Sequence, residues 1–544
     1  MPAARAWLAE DPDTHTHAEL AALVEAGDRA AVAELFAGEL EFGTAGLRGE
    51  LGPGPLRMNR VVVQRAAAGL SAYLVGHGHR GGAVVIAHDA RHNSATFAED
   101  TAHIVAGAGL RAVLLPGPTP TPVAAFAIRH LGAVAGVVVT ASHNPARDNG
   151  YKVYLGDGSQ IVPPADAEIA ASIGAVGPLT SVSRSAEVQI AGVEVERAYR
   201  ISIHRLFGEV GSATARQRAD LRLVYTPLHG VGGELVTDLA EEVGFARFDV
   251  VPEQALPDPE FPTVDFPNPE EPGALDLALD LALGTDADLV LANDPDADRC
   301  AAAIPEPDGA RLLTGDEVGT LLGRHLLRTR PVGVYAASIV SGTALRDLCD
   351  RAGAPYVSTL TGFKWIGRVP GLAFGYEEAL GYCLDPSVVA DKDGMSALLV
   401  LADLAAAAKA AGRTLLDDLD DVACEVGVHE TAQVSVRSAD AEAIRAVVER
   451  LRTSPPRRLG GRELEGLDDL AAPDGDLPPT DGVRLRLAGR ARVVVRPSGT
   501  EPKIKAYLEV VEPVSRRDQL GVTRRRALER MAALRADVAA LLEV

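Results

Sequence analysis

The stretch Ala83-Val84-Val85-Ile86-Ala87-His88 decides how the fold of this chain is interpreted. It predicts a short buried strand, because it is an uninterrupted run of apolar residues before the histidine. Helical patterns at 96–108 and 121–130 alternate with further apolar strands at 112–115 and 134–140. Strands that alternate with helices of about 10–15 residues indicate an α/β sheet with crossover connections.

The alternation returns twice along the chain, and then the pattern changes. Strand patterns lie at 221–225, 289–292 and 332–336, with helical patterns at 232–243, 317–327 and 343–351. The C-terminal segment has strand patterns at 431–436, 483–487 and 492–495 and helical patterns at 440–451 and 516–542. We therefore predict an α/β protein with an N-terminal helix over 1–40, three similar α/β domains and a smaller C-terminal α+β domain. The predicted bounds are 1–208, 209–313, 314–428 and 429–544.

Charge and cysteine content exclude several classes of protein. The 544 residues carry 53 Lys and Arg against 75 Asp and Glu, a formal net charge of −22. This surplus argues against nucleic-acid and membrane partners, since both need a basic face, but it allows a small anionic substrate in a local basic pocket. Four widely spaced cysteines do not form a disulfide framework. With no signal-peptide or membrane-span pattern, we predict a cytoplasmic protein.

The first motif that carries chemistry is Thr140-Ala141-Ser142-His143-Asn144-Pro145, at the end of the strand at 134–140. Ligands bind at the carboxyl ends of strands in open α/β sheets. Ser142 beside His143 is therefore placed as a nucleophile. An equally weighted alternative is a Ser/Asn turn that caps the following helix. The motif lacks the G-x-S-x-G elbow, which disfavours an acyl-transfer triad.

The second motif follows the strand at 289–292 and contains Asp294, Asp296 and Asp298. In an extended chain these alternate carboxylates point to one side, where they repel unless a cation lies among them. Ligands that are all oxygen suit Mg²⁺. An EF-hand is excluded because Arg299 stands where its Gly would be. The remaining alternative is a solvated acidic turn. Arg299 directly after the acids fits an anion bound at the same site.

The third motif is Arg496-Pro497-Ser498-Gly499-Thr500-Glu501-Pro502-Lys503-Ile504-Lys505. It combines an arginine, two hydroxyls, a conformationally permissive glycine and flanking lysines. Backbone N–H groups and a guanidinium can both bind phosphate oxygens, so this turn is a candidate anion site. The alternative is an ordinary Pro-Ser-Gly turn.

Weaker signals add cations, hydroxyls and carboxylates to this set. They are Arg48, Thr361-Gly362-Phe363-Lys364, the adjacent pair Glu377 and Glu378, and Lys392. The adjacent carboxylates are suited to accept hydrogen bonds from sugar hydroxyls, although each signal alone is more often a surface turn. Together with the three motifs they indicate phosphoryl transfer on a phosphorylated polyol, in which positioning and charge neutralisation supply most of the catalysis.

These residues resemble the α-D-phosphohexomutase superfamily, the phosphoglucomutase and phosphomannomutase group. The match extends from about Glu41 to Glu509 in the expected order. The motifs T-A-S-H-N-P, D-x-D-x-D-R and R-P-S-G-T-E-P are specific to it in combination. The resemblance implies four domains around a central cleft.

The resemblance also implies a role for each candidate residue. Ser142 is implied to be the nucleophile, active when phosphorylated, and a phosphate oxygen on Ser142 joins Asp294, Asp296 and Asp298 as a Mg²⁺ ligand. The other implied catalytic residues are Arg48, His143, Lys152 and Arg299, with His143 and Lys152 as alternative general bases. The predicted substrate-binding residues are Thr361, Gly362, Lys364, Glu377, Glu378 and Lys392. The predicted phosphate-binding residues are Arg496, Ser498, Gly499, Thr500 and Lys505.

The implied reaction has two phosphoryl transfers. Phosphorylated Ser142 phosphorylates a free sugar hydroxyl, and the resulting bisphosphate turns end for end and returns its other phosphoryl group. The implied requirements are Mg²⁺, a sugar 1,6-bisphosphate activator and a small phosphosugar substrate, in a monomer or dimer. The leading function is transfer between the 1- and 6-positions of glucose. The alternatives are a phosphomannomutase or phosphopentomutase and, in a different class, a phosphatase-like hydrolase or an inactive regulatory homologue.

Two departures from the family pattern concern the choice of sugar. The sugar loop often reads Glu-x-Ser, but Ala379 follows Glu377 and Glu378 here. The metal loop has Pro295 where glycine is usual. Both features resemble the branch that contains phosphoglucomutases with phosphopentomutase or bisphosphate-synthase activity.

Overall fold

The computed structural model describes residues 1–43, 46–306, 309–438, 441–472, 477–497 and 503–543. The chain divides into two compact units. The first unit contains Met1–Leu313 and Gly381–Ala407, and the second contains Thr314–Leu380 and Ala408–Val544. The predicted bounds of the four domains stay predictions.

The first sheet has a parallel centre with an antiparallel edge. Its strands are β1 (Leu47–Glu50), β2 (Ala83–His88), β3 (Arg111–Pro118), β4 (Ala135–Val139), β5 (Asp148–Leu155) and β6 (Gln189–Ile190), in the order β1-β5-β4-β2-β3-β6. The helices are α1 (Pro2–Leu8), α2 (Thr14–Glu25), α3 (Arg29–Leu35), α4 (Arg60–Gly76), α5 (Ser94–Gly107), α6 (Thr121–His130), α7 (Ala165–Gly174) and α8 (Glu194–Val210). Both β2 and β4 are buried along their whole length. Since β4 pairs with β2 on one side and with β5 on the other, the neighbouring strands fix its position from both sides.

The second sheet places the buried strand β9 beside parallel β7 and antiparallel β10. The strands are β7 (Arg222–Thr226), β8 (Arg247–Val250), β9 (Leu289–Ala292), β10 (Ala301–Glu306) and β11 (Gly309–Leu312), in the order β11-β10-β9-β7-β8. The helices are α9 (Ala215–Asp220), α10 (Gly233–Glu242) and α11 (Asp276–Thr285).

The third α/β region lies mostly in the second unit. Its strands β12 (Val334–Ser338), β13 (Tyr356–Thr359) and β14 (Leu372–Glu377) pair in parallel, while β15 (Gly381–Cys383) belongs to the first unit. The helices are α12 (Gly315–Thr329), α13 (Ala344–Ala352), α14 (Phe363–Ile366), α15 (Gly394–Ala410) and α16 (Leu415–Val426). Among the described helices, no single one is long and apolar enough to span a membrane, although α15 and α16, bent by 92°, pass that test of length and composition together.

The C-terminal region is an antiparallel sheet with helices packed on it. Its strands are β16 (Val428–Arg437), β17 (Arg458–Leu459), β18 (Arg462–Asp469), β19 (Val483–Leu487), β20 (Ala491–Pro497) and β21 (Lys503–Glu512), in the order β16-β21-β20-β19-β18-β17. The helices are α17 (Ala441–Thr453) and α18 (Leu520–Leu541). Leu451 and Leu534 join Val493 in its core, so the predicted α+β character is confirmed.

Some predicted elements differ from the structure. The helical pattern over 1–40 is divided among α1, α2 and α3, because acidic caps at Asp13 and Asp28 each begin a new helix. The last helix starts at Leu520 rather than at 516, after a 3₁₀ turn at Arg517–Gln519. Further 3₁₀ turns lie at Leu179–Ser181 and Pro252–Gln254. The predicted fold class of three α/β domains with a C-terminal α+β domain is confirmed.

Candidate active site

Ser142 lies in the turn after β4, in the first unit, and is almost completely buried. Its backbone has a φ of +53°, a left-handed conformation that a residue with a side chain adopts rarely. The Ser142 N–H donates to Oγ1 of Thr140 at 2.9 Å, which helps to hold this conformation. The hydroxyl donates to Oδ2 of Asp294 at 2.7 Å. Nδ1 of His143 lies 3.2 Å from Oγ of Ser142.

Asp294, Asp296 and Asp298 converge in the turn after β9. All three are completely buried, and one oxygen from each lies within 4.8 Å of the others. The expectation of an extended chain here is wrong. The backbone turns back at Ala297, whose φ is +58° and whose N–H donates to the carbonyl of Asp294 at 2.8 Å. The turn brings the carboxylates together by curvature rather than by alternation along a strand.

Two lysines partly neutralise this acid triad, defined as Asp294, Asp296 and Asp298. Nζ of Lys152, from β5, donates to Oδ2 of Asp296 at 2.7 Å and to Oδ2 of Asp298 at 3.0 Å. Nζ of Lys392 forms an ion pair with Oδ2 of Asp298. Burial opposes ionisation of Asp298, but the two lysines outweigh it and hold the pKa of Asp298 below its usual range.

The surroundings of Asp294, in contrast, disfavour its charged form. Burial first, and then the neighbouring Asp296 and Asp298 carboxylates, raise the pKa of Asp294 to about 8. Within the described part of the chain, Oδ1 of Asp296 and Oδ1 of Asp298 are buried without a hydrogen-bond partner. Buried, unsatisfied carboxylate oxygens that repel one another match the donor set of Mg²⁺. The residues present therefore fit a hard divalent cation.

Arg48 and Arg299 add guanidinium groups next to the serine and the acid triad. Nη1 of Arg48, from β1, donates to Oδ1 of Asn144 at 3.2 Å. The backbone N–H of Arg299 donates to Oδ1 of Asp294 at 3.0 Å, and its guanidinium lies 3.6 Å from Glu270. Burial first, and then Arg299 and Arg48, lower the pKa of His143 well below its usual value. The guanidinium groups of Arg48 and Arg299 thus provide positive charge near Ser142, which is suited to bind an anion.

Thr121 and Arg91 also contact these groups, and the sequence reasoning missed both. Thr121, the first residue of α6, donates its hydroxyl to Oδ2 of Asp296 at 2.7 Å. Its N–H donates to the Asp296 carbonyl at 2.9 Å. Arg91 donates to the backbone carbonyl of Ser142 at 2.7 Å. Two consecutive Thr-Pro pairs at 119–122, after β3, are the signal that was available for Thr121, whereas Arg91 lies in a polar turn without a distinctive motif.

The second unit contains the predicted sugar-binding residues Glu377 and Glu378, which have different surroundings. Oε1 of Glu377 accepts the N–H of Gly362 at 2.6 Å, so this carboxylate and the 361–364 segment lie together. Glu378 accepts hydroxyl hydrogen bonds from Ser338 and Ser341, each at 3.0 Å. Burial first, and then Glu377, raise the pKa of Glu378. The carboxylate of Glu378 is thus held by the protein.

The remaining predicted residues fall partly inside the described chain. Thr361 lies in the bend before α14, and Lys364 lies within that helix. Arg496 on β20 is directly opposite Lys505 on β21, which places both cations on one face of the sheet. Ser498, Gly499 and Thr500 lie outside the described residues.

Comparison with known proteins identifies the family. Phosphoglucomutase/phosphomannomutase models match in sequence order: α/β/α domain I at 39–177, domain II at 203–309, domain III at 314–422 and the C-terminal domain at 435–520. The chain belongs to the phosphoglucomutase/phosphomannomutase family. The predicted family and the predicted type of enzyme, a phosphosugar mutase, are confirmed.

Relatives within this family carry different substrate names. A protein named "Probable phosphomannomutase" from Haemophilus influenzae is 44% identical, covering 83% of this chain and 93% of its own length. The phosphopentomutase of Homo sapiens is 33% identical and covers 94% of this chain and 91% of its own. The phosphoglucomutase of Staphylococcus aureus strain MRSA252 is 31% identical, with 88% and 91% covered. The family alone therefore leaves the preferred sugar open.

A solved structure supports the fold. The open form of parafusin, a phosphoglucomutase from Paramecium, superposes with a TM-score of 0.68 at 17% identity. The match covers 92% of this chain and 96% of that one. At this identity the likeness concerns the fold alone.

Proposed function

We propose that this protein is a phosphosugar mutase that moves a phosphoryl group between the 1- and 6-positions of glucose through phosphorylated Ser142. The observation that carries the proposal is the 2.7 Å hydrogen bond between Oγ of Ser142 and Oδ2 of Asp294. It places a buried hydroxyl at the edge of a cluster of carboxylates that fits a divalent cation. Bound Mg²⁺ would supply charge neutralisation for the phosphoryl oxygens.

In the first transfer, the bond between phosphorus and Oγ of Ser142 breaks and a bond from phosphorus to a sugar hydroxyl oxygen forms. That hydroxyl loses its proton to a general base, and Oγ of Ser142 takes up a proton in the same transfer to become a free hydroxyl, so no net proton is gained or lost. Arg48 and Arg299 are positioned to hold the phosphoryl oxygens, since guanidinium groups bind phosphate in a bidentate way. The second transfer reverses these bonds at the other end of the bisphosphate.

The geometry favours His143 over Lys152 as the general base. Nδ1 of His143 lies 3.2 Å from Oγ of Ser142, within reach of the proton that the serine hydroxyl gains in the first transfer and loses in the second. The ammonium of Lys152 instead donates to Asp296 and Asp298 at 2.7 and 3.0 Å. Because those carboxylates favour the charged ammonium, Lys152 is suited to orient the triad rather than to accept a proton.

Residues of the second unit are suited to bind sugar hydroxyls and phosphate. We assign Glu377 and the 361–364 segment to the sugar hydroxyls, and Arg496 with Lys505 to the distal phosphate. The 2.6 Å hydrogen bond from Gly362 to Glu377 supports a shared role for the first pair. The opposite positions of Arg496 and Lys505 support the second.

A phosphopentomutase is the second candidate, and a specific observation favours it. Ala379 removes the hydroxyl expected after the two glutamates, and a relative named phosphopentomutase covers 94% of this chain. A comparison of kcat/KM for glucose, mannose and ribose 1-phosphates decides among the sugars. We expect glucose 1-phosphate to lead, and a tenfold preference for ribose 1-phosphate, about 1.4 kcal/mol, would assign the protein as a pentomutase instead.

Two further measurements separate a mutase from the other classes. A phosphatase-like hydrolase releases inorganic phosphate at its turnover rate, whereas a mutase releases almost none. A colorimetric phosphate assay run beside the mutase assay therefore distinguishes them. An inactive homologue would show neither activity at saturating Mg²⁺ and sugar 1,6-bisphosphate.

A further inference from the structure

Arg91 is enclosed behind the serine loop, defined here as residues 140–148, and binds the backbone of that loop at four points. Its Nη1 donates to the carbonyl oxygens of Pro145 at 2.7 Å and Asp148 at 3.2 Å. Its Nη2 donates to the carbonyl oxygens of Ser142 at 2.7 Å and Asn144 at 2.5 Å. One planar guanidinium thus binds four peptide carbonyl groups between the candidate nucleophile and the start of β5.

The guanidinium is itself held by neighbouring groups. Oδ2 of Asp89 lies 3.3 Å from Nε of Arg91, and Oδ1 of Asp89 accepts the Arg91 backbone N–H at 2.9 Å. The ring of Phe261 covers the guanidinium, with its centroid 4.8 Å from the central carbon. An ion pair at one edge, without a hydrogen bond between Nε and Oδ2, and an aromatic ring over one face favour a planar guanidinium, which suits arginine and not lysine.

The backbone that Arg91 binds is one that needs support. Ser142 has a left-handed φ of +53°, which is unfavourable for a residue with a side chain. The backbone N–H of Ser142 donates to Oγ1 of Thr140 at 2.9 Å, and the backbone carbonyl of Ser142 accepts a hydrogen bond from Arg91. Without the second contact, the serine peptide is free to relax toward the common conformations. The hydroxyl would then move away from Asp294.

We propose that Arg91 is a positioning residue for phosphoryl transfer, whose guanidinium holds the serine loop so that Oγ of Ser142 faces the acid triad. Arg91 acts through the backbone and donates to no side chain of the serine loop in the contacts described above. The inference rests on the proposed function, because it takes Ser142 to be the nucleophile.

Arg218 offers a matched control in the same unit. It is a largely buried arginine that pairs with Asp403 at 2.6 Å, donates to the Val243 carbonyl at 3.1 Å and lies 5.0 Å from the centroid of the Phe207 ring. These are the same kinds of contact that Arg91 makes, but none of these partners belongs to the serine loop or the acid triad. Arg91→Lys and Arg218→Lys both keep the charge and lose the planar fork.

The experiment compares these two variants by steady-state kinetics and hydrogen exchange. We expect Arg91→Lys to lower kcat by about 100-fold with a much smaller change in KM, since a displacement of about 1 Å at a reacting group has an effect of that size. We expect Arg218→Lys to lose comparable thermal stability and to keep kcat near the wild-type value. Backbone amides of residues 140–148 should exchange faster in Arg91→Lys only.

Two results would overturn the proposal: unchanged exchange of the serine loop in Arg91→Lys, or an equal loss of kcat in both variants. If Arg91→Lys does not fold, Phe261→Leu removes the ring while all charges remain. We expect this variant to show the same changes at smaller size, and their absence would also overturn the proposal.

Intact mass of the wild type after incubation with glucose 1,6-bisphosphate tests the proposed function separately. A wild type that carries no phosphoryl group after this incubation contradicts that function, while hydrogen exchange still decides whether Arg91 holds the loop.

Discussion

The hydroxyl oxygen of Ser142 lies 2.7 Å from Oδ2 of Asp294, although 152 positions separate the two residues in the chain. The contact joins the turn after β4 in the first sheet to the turn after β9 in the second. The candidate nucleophile and the candidate metal ligands therefore form one site within the first unit. Loss of either component should stop the same chemical step.

Ser142→Ala is expected to lower kcat by about 10⁴-fold or more, because it removes the atom that accepts and returns the phosphoryl group. After incubation with glucose 1,6-bisphosphate, the wild type should exceed the mass of its unmodified chain by about 80 Da, the mass of one phosphoryl group, and the variant should not. Ser202→Ala is the control, since this buried serine donates to the Tyr199 carbonyl within α8. Full activity in Ser142→Ala would contradict the mechanism.

Thr121→Val is expected to weaken activation by Mg²⁺ about tenfold, because it removes the hydroxyl that orients Oδ2 of Asp296. Valine has nearly the same shape, so kcat at saturating Mg²⁺ should change much less than the Mg²⁺ concentration for half-activation. EDTA should abolish activity in the wild type, and added Mg²⁺ should restore it. Thr101→Val is the control, since that buried hydroxyl donates to the Phe97 carbonyl. Equal Mg²⁺ titrations for both variants would show that Thr121 does not orient the triad.

Glu377→Gln and Glu378→Gln are expected to act differently, although the two residues are adjacent. Glu377→Gln should raise KM for the sugar phosphate about tenfold, as expected when a charged hydrogen-bond acceptor for a substrate hydroxyl is lost. Glu378→Gln should instead mainly lower the melting temperature, because Ser338 and Ser341 donate to its carboxylate. Kinetics and thermal melts of both proteins provide the measurement. A larger rise in KM for Glu378→Gln would reverse the assignment.

The sequence predicted those parts of the site that lie at the ends of apolar strands. Ser142 follows β4 and Asp294 follows β9, and both strands are buried along their whole length, so hydrophobic runs located both groups. The three aspartates meet as predicted, but through a turn at Ala297 that alternation does not describe. The loop containing Ser498 to Thr500 lies outside the described residues, so its role stays a prediction.

Two features that the sequence did not predict, the strand β5 and the contacts of Arg91, depend on contacts between distant residues. The strand β5 (Asp148–Leu155) contains Asn149 and Lys152 among its buried residues, so it lacks the apolar run that marks β4. Lys152 is tolerated there because Asp296 and Asp298, more than 140 positions away, neutralise it. The hydrogen bonds of Arg91 likewise form only once the serine loop has folded against it. Local patterns carry no information about such partners.

His429→Gln is expected to flatten the pH dependence of stability in the second unit. Burial disfavours a charge on His429, but the carboxylates of Asp347 and Glu509, 3.4 and 3.0 Å from its ring nitrogens, outweigh this and raise its pKa above 6.5. Folding therefore favours the protonated ring.

The stabilisation from the protonated His429 ring is fully present below pH 6.5 and is lost as the pH rises through the higher pKa of the folded state. Glutamine can donate hydrogen bonds from its side-chain amide but cannot carry the charge. Melting temperatures from about pH 6 to about pH 9 should fall more steeply for the wild type than for His429→Gln. Exposed His79→Gln should follow the wild type, and parallel curves for wild type and His429→Gln would show that this imidazole contributes no pH-dependent stability.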